Sequence, residues 1–419
     1  MVSNLEKPSK SLEKRLHTRH SLLEGWDQEL IKNSTVFIIG VGALGCEIAK
    51  NLALVGVGKL ILVDNDTIET SNLSRQMLFR PGDEGKPKAE VAARELKKMN
   101  PFLEVETYFK FLQEVPLDVY KKSDVIVGGL DNIKARLDLN KICINLKKPL
   151  IDSGTLGFEG HVQIVIPEGI EGLDPTPCLK CLMPIPPADE KLIAACTPKG
   201  IPKKREHCVL KAEYEFGNTF NRAPDFDNDE DVEWLVRKSN EIAEQFNFKP
   251  DFKFEDMENI LKNKMPAIQT VNAIISSIQS HEILKLLHRL KGKDIGPIMN
   301  PPYLNYNGVY GVFDYLDIAK DPDCVHCGAG KVETIEITID KNAQIISLFG
   351  LISSVVGECD PDSCLISTDI TKKTIWNPFV ERLKNPHKTL AELGIQNGEI
   401  LVFTMLGKDP INILVSYGE

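Results

Sequence analysis

The chain has 419 residues, 42% of them hydrophobic and 26% charged, with a formal net charge of −10. That length exceeds one compact core, so two to four domains are expected, and the acidic balance argues against broad nucleic-acid binding. No run approaches about 18 apolar residues, so no membrane span is expected, and the polar start "MVSNLEKPSKSLEKRLHTRH" lacks the core of a secretion signal.

A cytoplasmic location follows as an expectation, and the ten cysteines then read as thiols or metal ligands, not disulfides. Taken in chain order, residues 36–40, "VFIIG", predict a buried strand. "GVGALG", the apolar-periodic "CEIAKNLALVGVG" and a second strand, "KLILVD", follow, ending on Asp64. Strand, glycine-rich turn, helix and a strand closed by an acid form the opening unit of a nucleotide-binding doubly wound sheet. Gly40, Gly42 and Gly45 make G-x-G-x-x-G. Such glycines let the backbone approach a phosphate at a helix N-terminus, with Asp64 in the ribose position. A dehydrogenase would share all of this, and a tight strand–helix turn would share the glycines.

The stretch "DNDTIETSNLSRQMLFRPGDEGKPKAE" then places Asn72, Arg75, Gln76 and Lys88 close behind. Arg75 and Lys88 suit a triphosphate and the charge that grows during attack on its α-phosphorus; the plain alternative is a solvated loop. Strands are predicted at 105–111, 124–130 and 149–154, and the alternating "HVQIVIP" (161–167) predicts an antiparallel one. Asp131, just beyond the strand at 124–130, suits a Mg²⁺ ligand at the crevice, or alternatively an N-cap for the next helix.

Cys178 and Cys181 form one C-x-x-C pair and Cys324 and Cys327 another. Two pairs match a four-thiolate Zn²⁺ site whose ligand positions are all filled by protein, hence structural. Residues 183–265 turn charged and helix-leaning, with the acidic run "DFDNDEDVE". Within them, "AACTPKGIPKKREHC" (194–208) carries Cys196 and Cys208 among basic residues that favour a thiolate. Local chemistry leaves the two equal. Cys46 and Cys143 lie on apolar helical faces and read as core. Cys359 and Cys364 neighbour Asp360 and Asp362, a poor setting for a thiolate. Helical periodicity returns at 267–287, strand-like sequence at 303–316, and a small module follows from "VETIEITID" (332–340) to "TLAELGIQNGEILVFT" and "INILVSY". Asn397-Gly398 is a hairpin-type turn signal.

Together these residues resemble the activating enzymes of ubiquitin and ubiquitin-like proteins, above all the catalytic subunits of the heterodimeric ones. The resemblance rests on residues 40–93 almost end to end, on "GLDNIKAR" and "PLIDSGTLGFEGHVQIVIP", and on the split cysteine pairs, covering about 30–330 and more loosely the remainder. It implies an α/β fold: a Rossmann-like doubly wound adenylation domain (1–182 plus 266–330), an inserted helical catalytic-cysteine domain (183–265) and a β-grasp ubiquitin-fold domain (332–419). It implies ATP contacts at Gly40, Gly42, Ala43, Gly45, Asp64, Asp66, Asn72, Arg75, Gln76, Lys88, Asp131 and Asn132, with Asp131 also the Mg²⁺ ligand. Ala43 departs from the Gly-Gly often found there, a small change.

The family's nucleophile heads a Cys-Thr pattern with a later proline and a Glu-His pair, here Cys196, Thr197, Pro202, Glu206 and His207, so the resemblance assigns the thioester to Cys196. Arg15 or Arg19 resembles an arginine that reaches into a partner subunit's ATP site. The implied partners are a ubiquitin-like protein ending in Gly-Gly, a conjugating enzyme bound by residues 332–419, and a second copy or a related adenylation subunit. A sulfur-carrier adenylyltransferase of the MoeB or ThiF type is the rival enzyme reading; a non-catalytic scaffold subunit is the rival outside enzymes.

Overall fold

In the computed structural model the predicted apolar runs become strands β1 (Thr35–Ile39), β2 (Lys59–Val63), β3 (Glu104–Tyr108), β4 (Val125–Gly128) and β5 (Leu150–Leu156). These five pair in parallel. β6 (Glu159–Val165), β7 (Tyr303–Asn307) and β8 (Val312–Leu316) extend the sheet antiparallel, in the order β3-β2-β1-β4-β5-β6-β7-β8. The structure describes residues 12, 15–183, 202, 205–220, 222, 224–226, 228–257, 260–261, 267–329, 334–357, 359–371, 373–405 and 410–418. Cys196, Thr197, Lys199, Lys203 and Lys204 lie outside the described residues.

Helices α1 (Gln28–Lys32), α2 (Ala43–Val55), α3 (Lys88–Met99), α4 (Leu117–Lys122), α5 (Ile133–Asn145) and α6 (Leu179–Leu182) accompany the first six strands. α7 (Glu206–Phe220), α8 (Asp229–Gln245) and α9 (Phe254–Met257) come next, then α10 (Gln269–Arg289) and α11 (Ile345–Val356). The chain divides into two compact units: residues 1–184 with 267–419, and residues 185–266.

The period of two sorts the strand side chains onto the two faces of the sheet. Val36, Ile38, Leu60, Leu62, Val125 and Val127 share one core with α2, α3 and α10. Phe37, Ile39, Ile61, Val63 and Ile126 share the other with α4 and α5. Burial on both faces is why these strands read as continuous apolar runs. The strand order reverses direction between β1 and β4, and in such sheets the ligand crevice opens beyond the carboxyl ends of those two strands.

The carboxyl-terminal residues of the same unit form a second, mixed sheet from β9 (Thr334–Ile339), β10 (Cys364–Thr368), β11 (Thr374–Trp376), β12 (Glu399–Met405) and β13 (Ile411–Tyr417), ordered β11-β10-β12-β13-β9. Its first and last strands run parallel and the other pairs antiparallel. The apolar side of α11 (Ile345, Leu348, Phe349, Ile352) packs there with Trp376 and Phe403; full burial of each such side chain stabilises by about 1.5–3 kcal/mol. Asn397 and Gly398 form a turn, as expected, which leads into β12 and lies outside a hairpin loop.

In the other unit, α7 and α8 pack around Cys208, Phe216, Val232, Leu235 and Ile242. Among the described residues no helix is long and apolar enough to cross a membrane.

Candidate functional site: a phosphate cradle and a four-thiol cluster

β1 runs into Gly40, whose φ of +91° belongs to glycine, and a Cβ there would meet Gly129 O at 2.5 Å. A Cβ on Gly45 would lie 2.0 Å from Gly40 O. The glycines thus let the turn after β1, the start of α2 and the loop after β4 touch backbone to backbone. α2 begins at Ala43 with Gly42 as N-cap and no side-chain cap. Its first amide N–H groups, with the positive end of the helix dipole, remain available to an anion.

Acidic and basic side chains are fixed around this turn. Asp64 accepts from Val41 N at 2.7 Å and from Asp66 N at 2.8 Å. Burial pushes its pKa up, opposed chiefly by the Lys88 charge and the backbone N–H bonds. Lys88 heads α3, is buried, and donates to Asp66 Oδ2 at 2.8 Å. Asn72 is buried in the 3₁₀ turn Thr70–Ser74, where its Oδ1 accepts from Glu69 N at 3.1 Å. Arg75 closes that turn, half-buried, with Nη1 on Ser71 O at 2.8 Å.

Gln76 is the informative neighbour. It is 4% exposed, its Nε2 lies 4.0 Å from where a Gly42 Cβ would sit, and its buried Oε1 has no partner among the described residues. An orphaned buried acceptor above an uncapped helix start fits a bound nucleotide with donor groups to offer.

Asp131 sits exposed beyond β4. The N-cap of α5 is Asn132, whose Oδ1 accepts from Ala135 N at 2.8 Å. The capping alternative for Asp131 is therefore set aside. Arg15 and Arg19 are exposed and form no ion pair among the described residues.

The four cysteines of the two C-x-x-C pairs meet, with all ligand sulfurs within 4.8 Å of one another. Cys178 Sγ is 3.9 Å from Cys181 Sγ and 3.7 Å from Cys324 Sγ, and Cys181 Sγ is 3.4 Å from Cys327 Sγ. A tetrahedral zinc with Zn–S of about 2.3 Å requires sulfurs about 3.8 Å apart, so the cluster fits a structural zinc. Hydrogen bonding with Cys327 lowers the Cys178 thiol pKa, and the same bond pushes that of Cys327 up.

Cys208, the rival of Cys196, is wholly buried in α7, and burial pushes its thiol pKa up. Cys46 and Cys143 are fully buried as expected, and burial pushes Cys46 up to about 12.

A buried charge cluster joins Arg136, Asp152 and His161, which are separated in the sequence. Arg136 Nε donates to Asp152 Oδ2 at 3.0 Å, and Nη2 donates to Asp152 and to His161 Nε2. His161 stacks on Tyr303 with ring centroids 5.7 Å apart. Burial, then the Arg136 charge, holds its pKa down to about 3, so it stays neutral. The available signal was an acid inside an apolar strand, "LIDSG".

The ThiF family model matches residues 16–326. The chain is 32% identical over 329 residues to the NEDD8-activating enzyme E1 catalytic subunit of Arabidopsis thaliana, covering 74% of this chain and 69% of that one. It is 32% identical over 399 residues to the Dictyostelium discoideum protein of that name, covering 88% and 84%. The Caenorhabditis elegans counterpart is 31% identical over 401 residues, covering 89% and 88%. Among solved structures, E. coli MccB aligns with a TM-score of 0.45 at 21% identity, over 72% of this chain and 68% of that one. With the family model spanning most of its length, the chain belongs to the ThiF family, as an adenylating enzyme of the E1 type.

Proposed function

We propose that this chain is the catalytic subunit of a NEDD8-activating enzyme. Its substrates would be ATP and the carboxyl terminus of a ubiquitin-like protein. The observation that carries the reading is the uncapped start of α2, with the orphaned Gln76 Oε1 above it and Lys88 beside it. The relatives of that name supply the choice of modifier.

In this reading Gly40, Gly42, Ala43 and Gly45 cradle the phosphates, Asp64 accepts from the ribose, and Asp66, Asn72, Gln76 and Asn132 complete the nucleotide contacts. Asp131 holds Mg²⁺, whose chemistry is to neutralise phosphate charge. A carboxylate oxygen of the terminal glycine attacks the α-phosphorus, and the bond to the leaving pyrophosphate breaks. Arg75 and Lys88 stabilise the charge that develops there, with Arg19 or Arg15 of a second subunit as a further cation.

Cys196, as thiolate, then attacks the acyl carbon, AMP leaves, and a thioester forms. Residues 183–265 act as the catalytic-cysteine domain, 1–182 with 266–330 as the adenylation domain, and 332–419 as a ubiquitin-fold domain that receives a conjugating enzyme. The four-thiol cluster holds zinc in a closed, structural role. A cytoplasmic location suits thiols that must stay reduced.

The test uses the full chain, alone and with a related adenylation subunit, in NEDD8-dependent ATP–pyrophosphate exchange. A thiol-sensitive NEDD8 adduct, replaced by a stable oxyester in Cys196→Ser, is expected. Exchange without any covalent adduct would favour the sulfur-carrier type of chemistry. No exchange in either setting would leave a scaffold role.

A further inference from the structure

Two polar side chains at the start of α10 are left half satisfied. Asn272 is 1% exposed and its Oδ1 accepts from Thr155 Oγ1 at 2.7 Å, yet its Nδ2 has no acceptor among the described residues. One turn earlier Gln269 donates Nε2 to Glu47 Oε1 at 2.7 Å, while its buried Oε1 has no donor among the described residues. Folded proteins pair nearly all such groups with protein, water or ligand. The helix carrying them is 21 residues long, and its N-cap, Ile268, offers no side-chain cap.

Their position ties them to the cradle. Glu47 belongs to α2, and Ser276, one turn further along α10, donates Oγ to Leu44 O at 3.2 Å. The first turns of the two helices are thereby held together. On the other side Thr155 lies near the end of β5, which pairs with β4, the strand leading to Asp131. The unused donor and the unused acceptor therefore flank the crevice.

We infer that Asn272 and Gln269 bind the main chain of the modifier's carboxyl-terminal tail. Asn272 Nδ2 donates to a peptide carbonyl, and Gln269 Oε1 accepts from a peptide N–H. The inference rests on the activating reading above. One spare donor beside one spare acceptor matches a neutral peptide group. A phosphate or carboxylate would instead face the unpaired Oε1 and the Glu47 carboxylate. Reading main chain suits a Gly-Gly end, which offers no side chain to grip.

The test is steady-state ATP–pyrophosphate exchange by the full chain with NEDD8 as probe, for wild type, Asn272→Ala and Gln269→Ala. KM for NEDD8 should rise about tenfold in each variant, the size expected for losing one or two neutral hydrogen bonds in a buried place. KM for ATP should stay within about twofold. An unchanged KM for NEDD8, as when a water fills the gap, overturns the inference. So does an equal rise in both KM values, which would mean that the side chains only support the helix. If Asn272→Ala does not fold, the half-buried Gln269→Ala decides alone. Wild-type protein that shows no NEDD8-dependent exchange overturns the activating reading itself, an outcome distinct from variants that match an active wild type.

Discussion

In the proposed chemistry, Lys88 is positioned by one side chain, Asp66. The ammonium is buried at the head of α3 and oriented by an exposed carboxylate, 2.8 Å away. Lys88→Ala should lower kcat of ATP–pyrophosphate exchange about 10²–10³-fold, the usual loss when one stabiliser of developing charge is removed; exchange kinetics check it. The cysteine pair gives a second prediction. Cys208 is wholly buried, so Cys208→Ser should keep thioester formation while Cys196→Ser abolishes it, as read on non-reducing gels. The acids and cations from Asp64 to Lys88 stand close together in sequence, whereas only the family resemblance singled out Cys196 from Cys208. Asp152, Arg136 and Asn272 were not legible there, since their meaning depends on partners brought up by folding; Asn272 and Thr155 are 117 positions apart. The capping of α5 by Asn132 in place of Asp131 was equally hidden, because neighbouring Asp and Asn are near-equal caps.

The loop between the 3₁₀ turn and α3 is held by one buried carboxylate. Asp83 is 4% exposed, accepts from Lys86 at 2.9 Å and from Arg94 Nη2 at 3.0 Å through both oxygens, and takes Arg80 N at 3.2 Å. Burial works against its ionised form, but the Lys86 and Arg94 hydrogen bonds outweigh it and bring the pKa down to about 2. A carboxyl whose folded pKa lies below its unfolded value, about 3.9, stabilises fully above that value. The contribution fades as pH falls through about 2. Asp83→Asn should therefore lower stability by about 1–3 kcal/mol at neutral pH. The gap to wild type should narrow below about pH 4; thermal melts across pH measure both. At this scale the sequence was read well where burial is two-sided, as in β1, β2 and β4. The strand-like "VFDYL" does form β8, with all five residues exposed. An edge strand has no neighbour on one side to cover it.

Across the whole chain, the four thiols fasten together stretches that lie on either side of residues 185–266 and of α10. Cys178 and Cys324, like Cys181 and Cys327, stand 146 positions apart. About one zinc per chain is expected, and Cys324→Ser should abolish binding and lower Tm; metal analysis and calorimetry check this. Both pairs were visible in the sequence, but their meeting depended on β6, β7 and β8 joining one sheet. The same separation sets an order in biosynthesis. At about 5–20 residues per second, a ribosome needs about seven to thirty seconds after making Cys181 before Cys327, 146 positions on, exists. During that interval the first two thiols stand without their mates, open to oxidation or to a wrong metal. A zinc bound by all four thiols would therefore load only after translation of both pairs.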